Sequence, residues 1–329
     1  MARMRYAEAL RETLRQEMLR DPNVVLYGED IGIYGGVFKV TRGLQQEFGD
    51  RRVRDTPISE AAMAGMTVGA AMAGLRPVLE IMYADFLPLI LDTLANQASA
   101  LPGIWPGQIT LPLVIRTQGG GGAGAGAQHS KSFDGLMAHI PGLKVVSPAT
   151  PADAKALLTA AIRDPNPVIV LEHKLLYNMS DEVPEGDAPG EIGRAHVLRP
   201  GRDVTILANS RMVHEALRAA ERLADEDGIS AEVIDLRTLR PLDSATILAS
   251  VRRTARAVVV NEDWRTGGFG AEVSAMIAEE AFEYLDAPVC RIGTRDRPIP
   301  YSQPLEAAAL PDAAAIVAGV RAMAMRGAR

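Results

Sequence analysis

Short apolar runs rich in β-branched residues alternate with longer helical stretches along this chain, and no other feature restricts its fold as strongly. Val24-Val25-Leu26-Tyr27, Val204-Thr205-Ile206-Leu207-Ala208 and Ala257-Val258-Val259-Val260 are continuous rather than alternating runs. Continuous runs of this length suit strands covered on both faces, as in a parallel sheet. The segments between them supply the helical crossovers that parallel strands require. In a first block the pattern predicts helices over 6–20, 59–74, 86–100 and 151–163. The strands expected there are 24–27, 76–82, 111–117, 144–147 and 167–172. In a second block it predicts strands at 204–208, 231–235, 257–260 and 289–292, with helices over 213–225, 243–253, 268–285 and 312–325. Residues 180–201 are rich in Pro, Gly and acids, lack an apolar period and read as a linker. The expected division is a domain over 1–183, a linker over 184–202 and a domain over 203–329.

Composition excludes several function classes. A net charge of −6, with Arg residues interleaved among acids, offers no basic surface for nucleic acid. Apolar runs all fall short of the roughly 20 residues of a membrane span. The single cysteine, Cys290, rules out an intrachain disulfide and a thiolate metal cluster. His129, His139, His173, His196 and His214 show no metal-ligand spacing. The N-terminal residues lack the apolar core of a signal peptide. The expected address is a soluble, reducing compartment, the bacterial cytoplasm or otherwise an organelle matrix after processing.

Four places invite a chemical reading. Glu60 opens a helix of small residues, SEAAMAGMTVGAAMAG. Locally this is an ordinary helix start, with Ser59 as cap and an acid complementing the helix dipole. The lack of bulk on that helix lets another helix or a cofactor approach closely. The run Gly119 to Ala127 contains GxGxxG, but Gln128-His129-Ser130 follows where a dinucleotide fingerprint needs a helix. A backbone that needs positive φ or close ligand approach accounts for it better. His129 follows that run, and locally it could as well be a solvated side chain. Glu29 and Asp30 end the first strand, where ligands gather in open α/β sheets, although paired acids in a loop are commonly just solvated. Phe86 and Asp92 lie one helical face apart after a strand, Phe86 by itself suiting a core. No G-x-S-x-G, P-loop lysine or HExxH motif occurs.

Long segments, in order, resemble one family. They are GEDIGIYGGVFKVTRGL (28–44), RVRDTPISEAAMAGMTVGAAMAGLRPVLE (52–80), AQHS (127–130), PGLKVVSPATPADAKALL (141–158), VIDLRTLRPLD (233–243) and DRPIPYSQPLE (296–306). The family is the beta subunit of thiamine-diphosphate-dependent 2-oxo acid dehydrogenases, of pyruvate, branched-chain or acetoin type. The resemblance implies an α/β fold: a transketolase-like pyrimidine-binding domain with a parallel sheet, then the transketolase C-terminal domain. It implies an α2β2 heterotetramer whose alpha subunit holds the diphosphate and Mg2+. In keeping with that, this chain has no Gly-Asp-Gly segment followed by the metal-ligating Asn of the alpha chains. The implied activity is oxidative decarboxylation of a 2-oxo acid, or acetoin cleavage, with acyl transfer to lipoamide. The further partners implied are the lipoyl and peripheral subunit-binding domains of the dihydrolipoyl acyltransferase, with no nucleic acid or membrane.

By position, the resemblance makes Glu60 the carboxyl that hydrogen-bonds the aminopyrimidine ring, favouring the imino tautomer that deprotonates the thiazolium. Ile58, Met82 and Phe86 would line the pyrimidine pocket. Glu29, and less securely Asp92, would belong to an acidic tunnel between paired sites, and His129 would steady the adduct or move a proton. Leu113, Ala161, Ile162, Asp164 and Asn166 match a structural potassium site, although locally they form an ordinary helix end and turn. Met82 stands where relatives carry a glutamine, and Leu89 where some carry a tunnel acid. A split transketolase subunit and a non-catalytic assembly subunit are the alternatives.

Overall fold

The computed structural model describes residues 1–326, which form two compact units. The first comprises Met1–Gly119 with Met137–Ile192; the second comprises Gly120–Leu136 and the chain from Gly193 onward.

The first unit begins with β1 (Ala2–Arg5), α1 (Tyr6–Arg20), β2 (Val24–Gly28), α2 (Leu44–Phe48), β3 (Val53–Asp55), α3 (Glu60–Met72) and β4 (Arg76–Ile81). It continues through α4 (Leu101–Ile104) to β5 (Val114–Gly119). The chain returns from the second unit within α5 (Asp134–His139), then forms β6 (Lys144–Val146), α6 (Pro151–Arg163), β7 (Val168–His173) and β8 (Ser180–Val183). These strands run parallel in the order β6-β7-β5-β4-β2-β3, with β1 and β8 pairing antiparallel apart from them. Tyr6, Leu10, Leu14 and Met18 recur at every fourth residue of α1, so they form one buried stripe. It shares a core with Leu157, Leu158 and Ala161 of α6. The start of α6 follows from its sequence: the Thr150 hydroxyl accepts the Asp153 N–H at 3.1 Å, and Pro151 needs no N–H partner at the first helical position.

The second unit contains β9 (His196–Arg199), β10 (Val204–Ala208), α7 (Met212–Asp227), β11 (Ala231–Asp235), β12 (Thr238–Arg240), α8 (Ser244–Thr254) and β13 (Ala257–Trp264). After these come α9 (Phe269–Glu280), β14 (Cys290–Thr294), α10 (Gln303–Ala307) and α11 (Ala313–Arg326). Its sheet runs β14-β13-β10-β11-β9, parallel except for β9.

Two expectations differ from the structure. The segment 86–100 is not one helix but a 3-10 turn over Ala84–Ile90 followed by a π-helix over Thr93–Ala98. Pro88 lacks the N–H that an α-helix would use there. The turn-rich stretch 180–201 contains β8 and β9, whose side chains are mostly outside the core, so they leave no apolar period to read.

Inside the first unit the Arg116 side chain, 1% exposed, forks onto Glu172 at 2.7 and 2.8 Å and reaches Glu80 at 2.8 Å. The Tyr177 hydroxyl donates to Glu172. Burial opposes the charge on Arg116, but Glu172 and Glu80 more than offset it and raise its pKa.

Candidate active site

The carboxyl ends of the parallel strands in the first unit collect the expected cofactor-binding residues. Glu29 follows β2, Ile58 and Glu60 follow β3, and Met82 and Phe86 follow β4. Main-chain bonding ties the first two ends together, with the Thr56 N–H on the Gly28 carbonyl at 3.0 Å. Glu60 is the first residue of α3 and is 7% exposed, yet its carboxylate meets no hydrogen-bond donor among the described residues. The expected cap is absent: Ser59 makes no side-chain cap bond, and its hydroxyl turns to the Pro57 carbonyl at 3.2 Å. No donor among the described residues takes up the Glu60 carboxylate, which leaves it able to meet a partner from outside the chain.

Glu29 lies in the field of Glu60. Burial pushes its carboxyl above the usual range, and the charges of Glu60 and Asp30 push it further in the same direction. Glu29 Oε1, Thr56 Oγ1 and Gln118 Oε1 are buried without a hydrogen-bond partner among the described residues, each at or just past the end of a strand. These atoms can serve a polar ligand seated where open α/β sheets bind theirs. Met82 and Phe86 are half-buried, while Ile58 is 81% exposed and presents bare hydrocarbon. Asp92 is exposed and takes the Asn96 amide at 2.6 Å, and Leu89 is exposed. Neither is gathered with Glu29 and Glu60 by any bond or field effect.

His129 belongs to the second unit, on the glycine-rich loop that leaves β5. Gly120, Gly122, Gly124 and Gly126 have positive φ, whereas Ala123 and Ala125 fall between them. That alternation is why the run tolerates alanine at some places and needs glycine at others. The Gly120 N–H donates to the Lys131 carbonyl at 3.1 Å, and the His129 N–H to the Gly126 carbonyl at 3.3 Å. His129 is half-buried, and the neighbouring Ser130 Oγ is buried with no partner among the described residues.

Asp134, just beyond the loop, takes the Asn209 amide at 2.8 Å beside Asp263 and Glu262. Burial and then the Asp263 charge push it up to about 7 from an ordinary 3.8. Folding therefore takes up a proton here. The stability this contributes is complete below pH 3.8 and is lost as pH rises through about 7. Asp134→Asn should remove this dependence, on the order of a few kcal/mol, and flatten the thermal midpoint between pH 5 and 8. Melting curves across that range check it; a slope equal to wild type would exclude Asp134 as the group.

Four of the five expected potassium positions have an oxygen engaged by the protein's own donors, and Asn166 is itself a donor to Asp164. Lys144 Nζ lies 2.5 Å from the Asp164 carboxylate, whose other oxygen takes the Asn166 N–H at 2.9 Å and its side-chain amide at 3.1 Å. Arg76 donates to the Ile162 carbonyl at 2.9 Å, Val168 to that of Leu113 and Asp164 to that of Ala161. Two cations already face these oxygens, so the set fits a further monovalent cation poorly. Among the described residues, no three His, Cys, Asp or Glu side chains could hold a metal ion together.

The transketolase pyrimidine-binding domain family matches residues 2–180, and the transketolase C-terminal domain family matches residues 193–316. The chain is 49% identical to the mitochondrial pyruvate dehydrogenase E1 component subunit beta-2 of Oryza sativa subsp. japonica, covering 95% of this chain and 84% of that protein. It is 47% identical to the chloroplastic subunit beta-2 of Arabidopsis thaliana, covering 95% and 77%. A solved split-gene transketolase, an inactive beta4 tetramer, matches with a TM-score of 0.80 at 26% identity over 98% of both chains. The expected two-domain transketolase-like α/β fold is thereby shown. The expected bacterial cytoplasmic address is overturned, because these plant relatives are organellar proteins.

Proposed function

The chain belongs to the family of pyruvate dehydrogenase E1 component beta subunits, and from that premise we propose how its residues serve a thiamine-diphosphate-dependent 2-oxo acid dehydrogenase. The observation that carries the reading is Glu60, a largely buried residue whose carboxylate is taken up by no donor among the described residues, at the strand ends beside Glu29. Thiamine diphosphate, when bound, supplies the electron sink for decarboxylation. Glu60 holds a proton at the aminopyrimidine ring nitrogen and orients that ring. Met82 and Phe86 flank the ring, and exposed Ile58 gains cover from it or from the partner chain. Glu29 keeps a proton more readily than an ordinary carboxyl because of burial and Glu60, which suits a group that passes protons. His129 acts at the reacting carbon, where it binds the 2-oxo acid oxygen or moves a proton during acyl transfer to lipoamide.

The working assembly is an alpha–beta heterotetramer, with the diphosphate and Mg2+ assigned to the alpha subunit. The lipoyl domain and the peripheral subunit-binding domain of the acyltransferase are the further partners. No role is derived for potassium, since Lys144 faces the Asp164 carboxylate and Arg76 the Ile162 carbonyl, two of the groups expected to bind it. The structural neighbour favours a second reading, a split transketolase subunit. The assembled enzyme, assayed with pyruvate, branched-chain oxo acids, acetoin and sugar phosphates, separates the two. Turnover of a 2-oxo acid with lipoamide is expected; turnover of sugar phosphates alone would overturn the proposal. A subunit used only for assembly would leave the mixture unable to bind thiamine diphosphate.

A further inference from the structure

Resting on the reading of His129 above, we infer that Glu306 is a positioning residue which sets the His129 loop through the main-chain N–H groups of its glycines. The second unit carries the whole argument. Glu306 lies on α10, 1% exposed, although α10 itself is a short turn at the surface. Its two carboxylate oxygens accept the Gly122 N–H and the Gly124 N–H, each at 2.8 Å. Glu262, on β13, accepts the Gly121 N–H at 2.5 Å. Successive N–H groups converge in this way when residues of opposite φ alternate, a geometry that ordinarily cradles an anion. Here the anion is the protein's own carboxylate, so the run is not a phosphate-binding loop.

Side-chain packing from the same part of the chain acts on the same loop. A Cβ at Gly126 would run into the Tyr301 ring, and one at Gly121 would meet Leu310 Cδ1 at 2.8 Å. The segment 296–310 thus presses on the loop from Gly121 to Gly126, three residues short of His129. Carboxylate–amide bonds of this kind are stronger than neutral ones, and their loss frees a backbone that glycine leaves intrinsically loose. The segment DRPIPYSQPLE supplies both the glutamate and the tyrosine of this contact. Main-chain freedom in the loop becomes positional freedom at the imidazole, where a shift of about 1 Å costs on the order of a hundredfold in rate.

Glu306→Gln keeps the shape of the side chain but leaves one of the two N–H groups facing an amide NH2. In the assembled alpha–beta enzyme with thiamine diphosphate and Mg2+, kcat should fall about tenfold or more, with cofactor affinity and the KM for the 2-oxo acid within about twofold. Hydrogen–deuterium exchange in the peptide covering Gly121–Gly124 should quicken. The double variant Glu306→Gln/His129→Ala should be no slower than His129→Ala alone, because both substitutions act through one imidazole. Additive losses, or loop exchange unchanged from wild type, overturn the inference. Full turnover by His129→Ala overturns the reading of the histidine instead, while exchange still reports whether Glu306 holds the loop. Should Glu306→Gln fail to assemble, Glu306→Asp keeps the charge but shortens its reach to the Gly122 and Gly124 N–H groups. It must then quicken exchange in the same peptide, and unchanged exchange counts against the inference.

Discussion

Glu60→Gln should abolish most turnover, by a factor on the order of 10²–10⁴, while the chain still folds and assembles with its alpha partner. The amide keeps the volume of the side chain but can no longer exchange a proton with a ring nitrogen. Folding should not suffer, because no donor among the described residues depends on this carboxylate and its charge acts on Glu29 as a repulsion. Removing that charge should return the Glu29 carboxyl part of the way toward its ordinary range. Burial, the larger cause, stays in place. Steady-state assays of the assembled enzyme, with gel filtration and melting curves as controls, make the measurement. Activity within tenfold of wild type would remove Glu60 from the chemistry.

The largest loss of stability should come from Arg116→Met, at about 3–5 kcal/mol. This substitution leaves Glu80 and Glu172 buried in the first unit without the guanidinium that neutralises them. Domains of this size are stable by roughly 5–15 kcal/mol, so the expected result is a poor yield of folded chain and an early urea midpoint. Arg116→Lys keeps the charge but cannot make the fork to both Glu172 oxygens, and should fall between the two. Replacing all three charged residues with leucine or methionine should recover much of the loss, because the cost comes from unpaired charge rather than from the absence of an ion pair. An Arg116→Met chain that melts with wild type would show that water or another cation reaches the two acids.

Much of the fold was legible because it is periodic. α1 and α6 lie where the apolar stripes over 6–20 and 151–163 place them, and β10 and β13 where the continuous runs do. The misreadings have local causes. Pro88 breaks an apolar stretch that otherwise reads as one helix. β8 and β9 are held by main-chain bonds that leave no trace in residue type. In the candidate site, Glu60, Glu29 and His129 were identified through resemblance to a family, since by themselves an acid at a helix start and a histidine after glycines are unremarkable. The glycine run announced positive φ, and four of its glycines adopt it. Its carboxylate partners were out of reach, because Glu262 and Glu306 lie 141 and 184 residues from the N–H groups they accept.

The amino-acid sequence by itself determined two α/β blocks, the strand ends that carry the acids, and membership of a family of thiamine-dependent beta subunits. Apolar period and motif order are written between near neighbours, so they survive without a structure. Only the tertiary structure decided that Glu60 is a buried residue taken up by no donor among the described residues, that Lys144 meets Asp164 and Arg76 the Ile162 carbonyl, and that Glu306 grips the loop of His129. Each of those is a meeting of groups far apart along the chain, where burial and charge become defined only after the backbone has closed around them.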